Sequence, residues 1–64
     1  MNTLPKTVQK RVMTGKAFDA VRANREADRL DYEGRLAYLD GRTAQAKKFS
    51  RYADQLRRMA RSAV

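Results

Sequence analysis

The sequence has no cysteine, no histidine and no tryptophan, only one proline, and glycine at three positions. Without cysteine there is neither a disulfide nor a thiolate metal site. Without histidine the commonest zinc ligand and the commonest general base are both missing. The lack of cysteine fits a reducing compartment, and the cytoplasm is the expected location. No apolar run exceeds four residues, Leu36 to Leu39, so no segment is expected to span a membrane. Lys6, Lys10 and Arg11 are followed by no apolar stretch, so no secretory leader is expected. Acids are also scarce: seven Asp and Glu stand against fifteen Lys and Arg, a formal net charge of +8 on 64 residues.

Each absence narrows the choice of function. A chain of 64 residues is a single small domain, 1–64, and a domain of this size buries a modest share of its surface. With no disulfide or metal to staple it, stability must come from helix packing, self-association or a partner. The excess of bases predicts attraction to an acidic protein surface, to nucleic acid or to an anionic membrane.

What is present is helical. Residues 16–39 and 44–63 are mostly good helix formers, and Asp40-Gly41-Arg42-Thr43 separates them. Gly41 suits a left-handed stop for the first helix, and Thr43 suits the N-cap of the second. In the first segment Ala20, Ala23, Ala27, Leu30, Gly34 and Ala37 recur in alternating steps of three and four. In the second, Ala46, Phe49, Ala53, Leu56, Ala60 and Ala63 do the same. Seams of small residues let two backbones approach closely, and a connection of about four residues makes the helices antiparallel. Leu4, Val8 and Val12, spaced by four, mark one side of a short helix with Pro5 in its first turn and Thr3 or Leu4 as its cap. Thr14-Gly15 is the preferred break after it; the alternative is one continuous helix from about residue 5 to 39, about 50 Å long.

The expected fold is therefore all-α: an antiparallel αα-hairpin of about residues 16–39 and 44–63, with a short N-terminal helix over about residues 5–13. Apolar groups flank the seam beyond what two helices can cover: Phe18, Val21, Tyr32, Leu36 and Leu39 on the first helix, Tyr52 and Met59 on the second.

Residues 27–60 resemble a single tetratricopeptide repeat, a 34-residue helix–turn–helix unit with small residues where its helices cross. Leu30, Gly34, Ala37, Gly41, Ala46 and Ala53 carry the resemblance. Glu33, Ser50 and Arg58 depart from it, standing where a large apolar residue, an aromatic and a proline are usual. The resemblance covers about half the chain and implies protein–protein interaction, since a lone repeat cannot bury both of its faces.

The charge is uneven. Lys6, Lys10, Arg11 and Lys16 stand in an acid-free N-terminal stretch, and Arg57, Arg58 and Arg61 in an acid-free C-terminal one. An antiparallel hairpin brings these stretches together at its open end. The middle is expected to carry helical ion pairs: Arg22 with Glu26, Arg29 with Glu33, Asp31 with Arg35, Asp54 with Arg58. Lys47, Arg51 and Arg58 share one side of the second helix, and Lys48 adds to them. For Arg57, Arg58 and Arg61 the helix dipole offers a local explanation beside the binding one.

An enzyme is not expected. Gly15-Lys16 lacks the upstream glycine of a phosphate loop, no carboxylate is expected to be deeply enclosed, and every lysine reads as exposed. No cofactor, metal or small-molecule substrate is expected. The leading expectation is a basic module, an accessory subunit or inhibitor, that docks on an acidic surface of a larger protein, with a nucleic-acid-handling enzyme as a candidate target. The expected basic contacts are Lys6, Lys10, Arg11, Lys16, Lys47, Lys48, Arg51, Arg57, Arg58 and Arg61. The expected apolar contacts are Phe18, Tyr32, Leu36, Tyr52 and Met59, with self-association as another way to cover them. The alternative is direct DNA or RNA binding through phosphates, with little sequence preference. Membrane-surface binding ranks last, because the apolar side of the N-terminal stretch is narrow.

Overall fold

A computed structural model describes residues 4–63. Its elements in chain order are α1 (Lys6–Arg11), β1 (Met13–Thr14), β2 (Ala17–Phe18), α2 (Ala20–Leu39) and α3 (Thr43–Ser62). Helices α2 and α3 form the antiparallel hairpin, and α1 is the short N-terminal helix packed against it. Each long helix has 20 residues, about 30 Å at 1.5 Å per residue, which matches the 36 Å long axis of the molecule.

The Thr14-Gly15 break is real and takes the form of a small antiparallel β-hairpin. Met13 pairs with Phe18 and Thr14 with Ala17, around the two-residue loop Gly15-Lys16. Gly15 has φ of +65° and Lys16 has no positive φ, the pattern of a type II′ turn. This hairpin moves the start of α2 from the expected residue 16 to Ala20, and it ends α1 at Arg11. Asp19 is the N-cap: its Oδ1 accepts from the Val21 and Arg22 backbone N–H groups at 2.9 and 3.1 Å. Thr14 Oγ1 donates to Asp19 Oδ2 at 2.9 Å, and the Asp19 N–H donates to the Val12 carbonyl at 2.8 Å. Turn and cap are thus built as one unit. The Arg22 N–H foremost, and then the Thr14 hydroxyl, hold the Asp19 carboxyl below its ordinary pKa.

Two expected caps differ. Pro5 is itself the N-cap of α1, without a side-chain cap bond, and Gln9 Nε2 reaches back to the Leu4 carbonyl at 2.7 Å. Thr3, the other expected cap, lies outside the described residues. Thr43 is the first residue of α3; Arg42 is the N-cap and makes no side-chain cap bond. The α2 stop matches expectation. Gly41 has φ of +81°, the Arg42 N–H donates to the Ala37 carbonyl at 2.8 Å, and the Gly41 N–H donates to the Tyr38 carbonyl at 3.1 Å. This is a Schellman motif.

The seam buries as its spacing implies over most of its length, but Ala20, Ala46 and Phe49 are half-buried and Ala63, one residue past α3, is exposed. Ala23, Ala27, Leu30 and Gly34 on α2 are buried, as are Ala53, Leu56 and Ala60 on α3. At the turn end the backbones come close: a Cβ on Gly34 would stand 3.4 Å from Phe49 Cβ and 3.5 Å from the Ala46 carbonyl oxygen. Leu4, Val8 and Val12 join the open-end seam residues in one apolar cluster, with Met13, Phe18, Phe49, Tyr52 and Met59 packed at its edge. The third layer therefore covers only the open-end half.

Candidate functional site

The acids of this protein are mostly consumed inside it. Glu26, 6 % exposed, accepts from Arg29 Nε at 2.9 Å and Arg29 Nη2 at 2.7 Å, and Arg11 Nη1 approaches it at 3.8 Å. The hydrogen bond to Glu26 raises the Arg29 pKa. This corrects the expectation that no carboxylate is deeply enclosed in a body of two or three helices: Arg29 pairs with Glu26 through two hydrogen bonds, and Arg11 at the end of α1 approaches it. It also corrects the expected Arg22–Glu26 pair, because Arg22 faces Asp19 at 4.0 Å. Arg29 does reach Glu33, at 3.9 Å, as a secondary contact.

Asp31 turns across the hairpin. Arg57 Nη2 donates to Asp31 Oδ2 at 2.6 Å and to Asp28 Oδ1 at 3.0 Å, which raises the Arg57 pKa, Asp31 contributing most. The expected Asp31–Arg35 pair is therefore replaced by a clamp between α2 and α3. Among the described residues neither Arg35 nor Arg58 forms a salt bridge, so the expected Asp54–Arg58 pair is also not made. Only Arg11, Arg22, Arg29, Arg42 and Arg57 have carboxylate partners there, and the other ten bases have none.

Five of these ten, Arg35, Lys47, Arg51, Arg58 and Arg61, line grooves on one face. A groove of about 880 Å³ lies between α2 and α3 at the turn end, with Gly34 and Ala46 on its floor and Tyr38, Arg35, Lys47 and Arg51 around them. Tyr38 is 65 % exposed. A smaller groove nearer the open end is lined by Asn24, Asp54, Arg57, Arg58 and Arg61. Both lie on the hairpin face away from α1. On α2, Asp31, Arg35 and Tyr38 stand across the seam from Glu26, which meets Arg11. On α3, Lys47, Arg51 and Arg58 are about half a helical turn from Phe49 and Leu56 at 100° per residue.

The expected contact residues divide accordingly. Lys47, Arg51, Arg58 and Arg61 share the grooved face, while Arg57 is tied to Asp28 and Asp31. Lys48 is about 100° around α3 from Lys47 and lines neither groove. The N-terminal bases share the open-end half with the end of α3 but not its grooves: Lys6 and Lys10 are exposed on α1, Arg11 faces Glu26, and Lys16 sits in the β-turn. Of the apolar set, Phe18, Tyr52 and Met59 pack against the molecule's own core. Tyr32 and Leu36 remain 61 % and 44 % exposed, beside Leu39 at 81 %. Arg35 is the groove residue that sequence reasoning missed, because helical spacing assigned it to Asp31.

Comparison with protein-family models, curated proteins and solved structures finds no match to this chain. Among the described residues no cluster of three or more acids could hold a metal ion, and no helix is long and apolar enough to cross a membrane.

Proposed function

We propose that this protein is a small, basic, non-enzymatic binding module that docks on an acidic surface of a larger protein, as an accessory subunit or inhibitor in the cytoplasm. One observation carries the reading: six of the seven acids are spent on internal ion pairs, and Arg35, Lys47 and Arg51, beside exposed apolar groups, have no carboxylate partner among the described residues. A partner that supplies carboxylates there meets cations with no internal competitor, and the apolar groups add buried area. The repeat-like pattern over residues 27–60 supports the same reading, since such units serve as scaffolds.

Direct nucleic-acid binding is the second reading, and a specific observation favours it: exposed Tyr38 stands among three cations, the composition of a base-stacking platform. The experiment compares both. Immobilised protein is exposed to nuclease-treated lysate beside the triple variant Arg35→Glu, Lys47→Glu, Arg51→Glu, while labelled duplex and single-stranded oligonucleotides are titrated at two salt concentrations. The expected result is acidic proteins retained by the native chain and lost with the variant. Oligonucleotide binding with no protein retained contradicts it.

A further inference from the structure

We propose that the turn-end groove takes one acidic amphipathic helix of about two turns, presented by a partner protein, as a third helix on the face opposite α1. The proposal rests on the docking reading above and assigns its occupant. The protein already shows the geometry once. On the α1 face, apolar residues spaced by four (Leu4, Val8, Val12) pack a short helix onto the hairpin. The charges there match: α1 brings Lys6, Lys10 and Arg11 and no acid, and Arg11 approaches Glu26.

The other face reverses that polarity. Its groove has Gly34 and Ala46 as a floor where an apolar side chain can seat, and Tyr38 as an aromatic wall. Arg35, Lys47 and Arg51 rim it, and its single acid, Asp31, is held by Arg57. The lining runs along α2 from Asp31 to Leu39, about 12 Å at 1.5 Å per residue, the length of about two helical turns. A groove between two helices is the ordinary seat for an amphipathic helix. The cationic rim selects acidic flanks on that helix. A second copy of this chain fits poorly, because its own short amphipathic helix carries bases only. A phosphate backbone pairs with the rim but leaves the apolar floor unsatisfied.

The test uses the intact protein and a synthetic helix-prone peptide of about 14 residues, with Leu at helical spacing and Glu beside it, in about 0.15 M salt. The controls are a scrambled peptide of equal composition and a duplex oligonucleotide. The peptide is expected to shift the amide resonances of Gly34, Tyr38, Ala46 and Ser50, and the scrambled peptide to bind at least tenfold more weakly, roughly. Arg51→Glu and Lys47→Glu are each expected to weaken binding about tenfold, and Lys48→Glu, an equal charge change outside the groove, less than about twofold. Ser50→Trp fills the groove from its exposed wall and is expected to abolish binding while helicity is unchanged.

Equal binding of the scrambled peptide overturns the proposal, as does retained binding by Ser50→Trp. An equal loss with Lys48→Glu overturns it too, and so does an oligonucleotide that shifts the groove resonances when the peptide shifts none. If the peptide fails while the triple variant still loses protein from lysate, the helix assignment falls and the docking reading stands.

Discussion

The two halves of the hairpin are built from the same pair of helices and do different work. At the open end α1 adds a third layer, Leu30 and Leu56 are 1 % and 0 % exposed, and a carboxylate is buried against an arginine. At the turn end there are only two layers. Tyr38 and Leu39 are 65 % and 81 % exposed, and Arg35, Lys47 and Arg51 beside them have no carboxylate partner among the described residues. The buried core is concentrated in one half, and the groove where unpaired bases stand beside exposed apolar groups is in the other. A chain of this length can satisfy only part of its surface, and here the division follows the reach of one short helix.

Truncation gives the largest contrast. Leu56→Ala is expected to cost about 2–5 kcal/mol, enough to unfold so small a domain, whereas Leu36→Ala at the turn end is expected to shift the melting temperature little. Chemical denaturation of both variants measures the difference, and equal effects would erase the distinction between the halves. Added volume sharpens it. Ala53, wholly buried, has no room for a larger side chain, so Ala53→Leu is expected to cost about 1–3 kcal/mol. Gly34→Ala meets only ordinary contacts at 3.4 and 3.5 Å and gains up to about 1 kcal/mol of helix propensity, so its melting temperature is expected to hold or rise.

The ion pairs rank next. Glu26→Gln removes the charge from two short bonds in a buried site and is expected to cost about 1–2 kcal/mol, with α1 amides losing exchange protection. Arg57→Ala removes a clamp that is partly open to water, and about 0.5 kcal/mol is expected, less at high salt.

The smallest effect is the pH dependence of the Asp19 cap. Its carboxyl pKa is lowered on folding, so its contribution is complete above the ordinary value of 3.8 and fades as pH falls through the lowered one. Asp19→Asn keeps an N-cap without the titration. It is expected to flatten the acid limb of the melting-temperature profile below about pH 4, and an unchanged limb would remove Asp19 from the account.

The hairpin was legible because its spacing is strong. The seam from Ala23 to Ala37 and its mate from Ala46 to Ala60 needed only periodicity, and Gly41 marked the stop. The β-turn was not legible in detail. Gly15 signalled a break, but a pairing of two residues per strand leaves no alternating run to detect. Asp19 could have been found as an N-cap, since it stands immediately before the periodic residues. The groove was hidden for a different reason. Helical spacing gives pairs within one helix, and it cannot show that Arg57 reaches across the hairpin to Asp31 and leaves Arg35 unpaired. Nor could it show that Tyr52 and Met59 pack against the protein's own core.

Amide hydrogen exchange of the free protein, followed residue by residue, tests the two-half account most directly. The slowest amides are expected in residues 23–30 of α2 and 53–60 of α3, with earlier exchange around Tyr38 and Ala46. Uniform protection along both helices, or slowest exchange beside the turn, would contradict it.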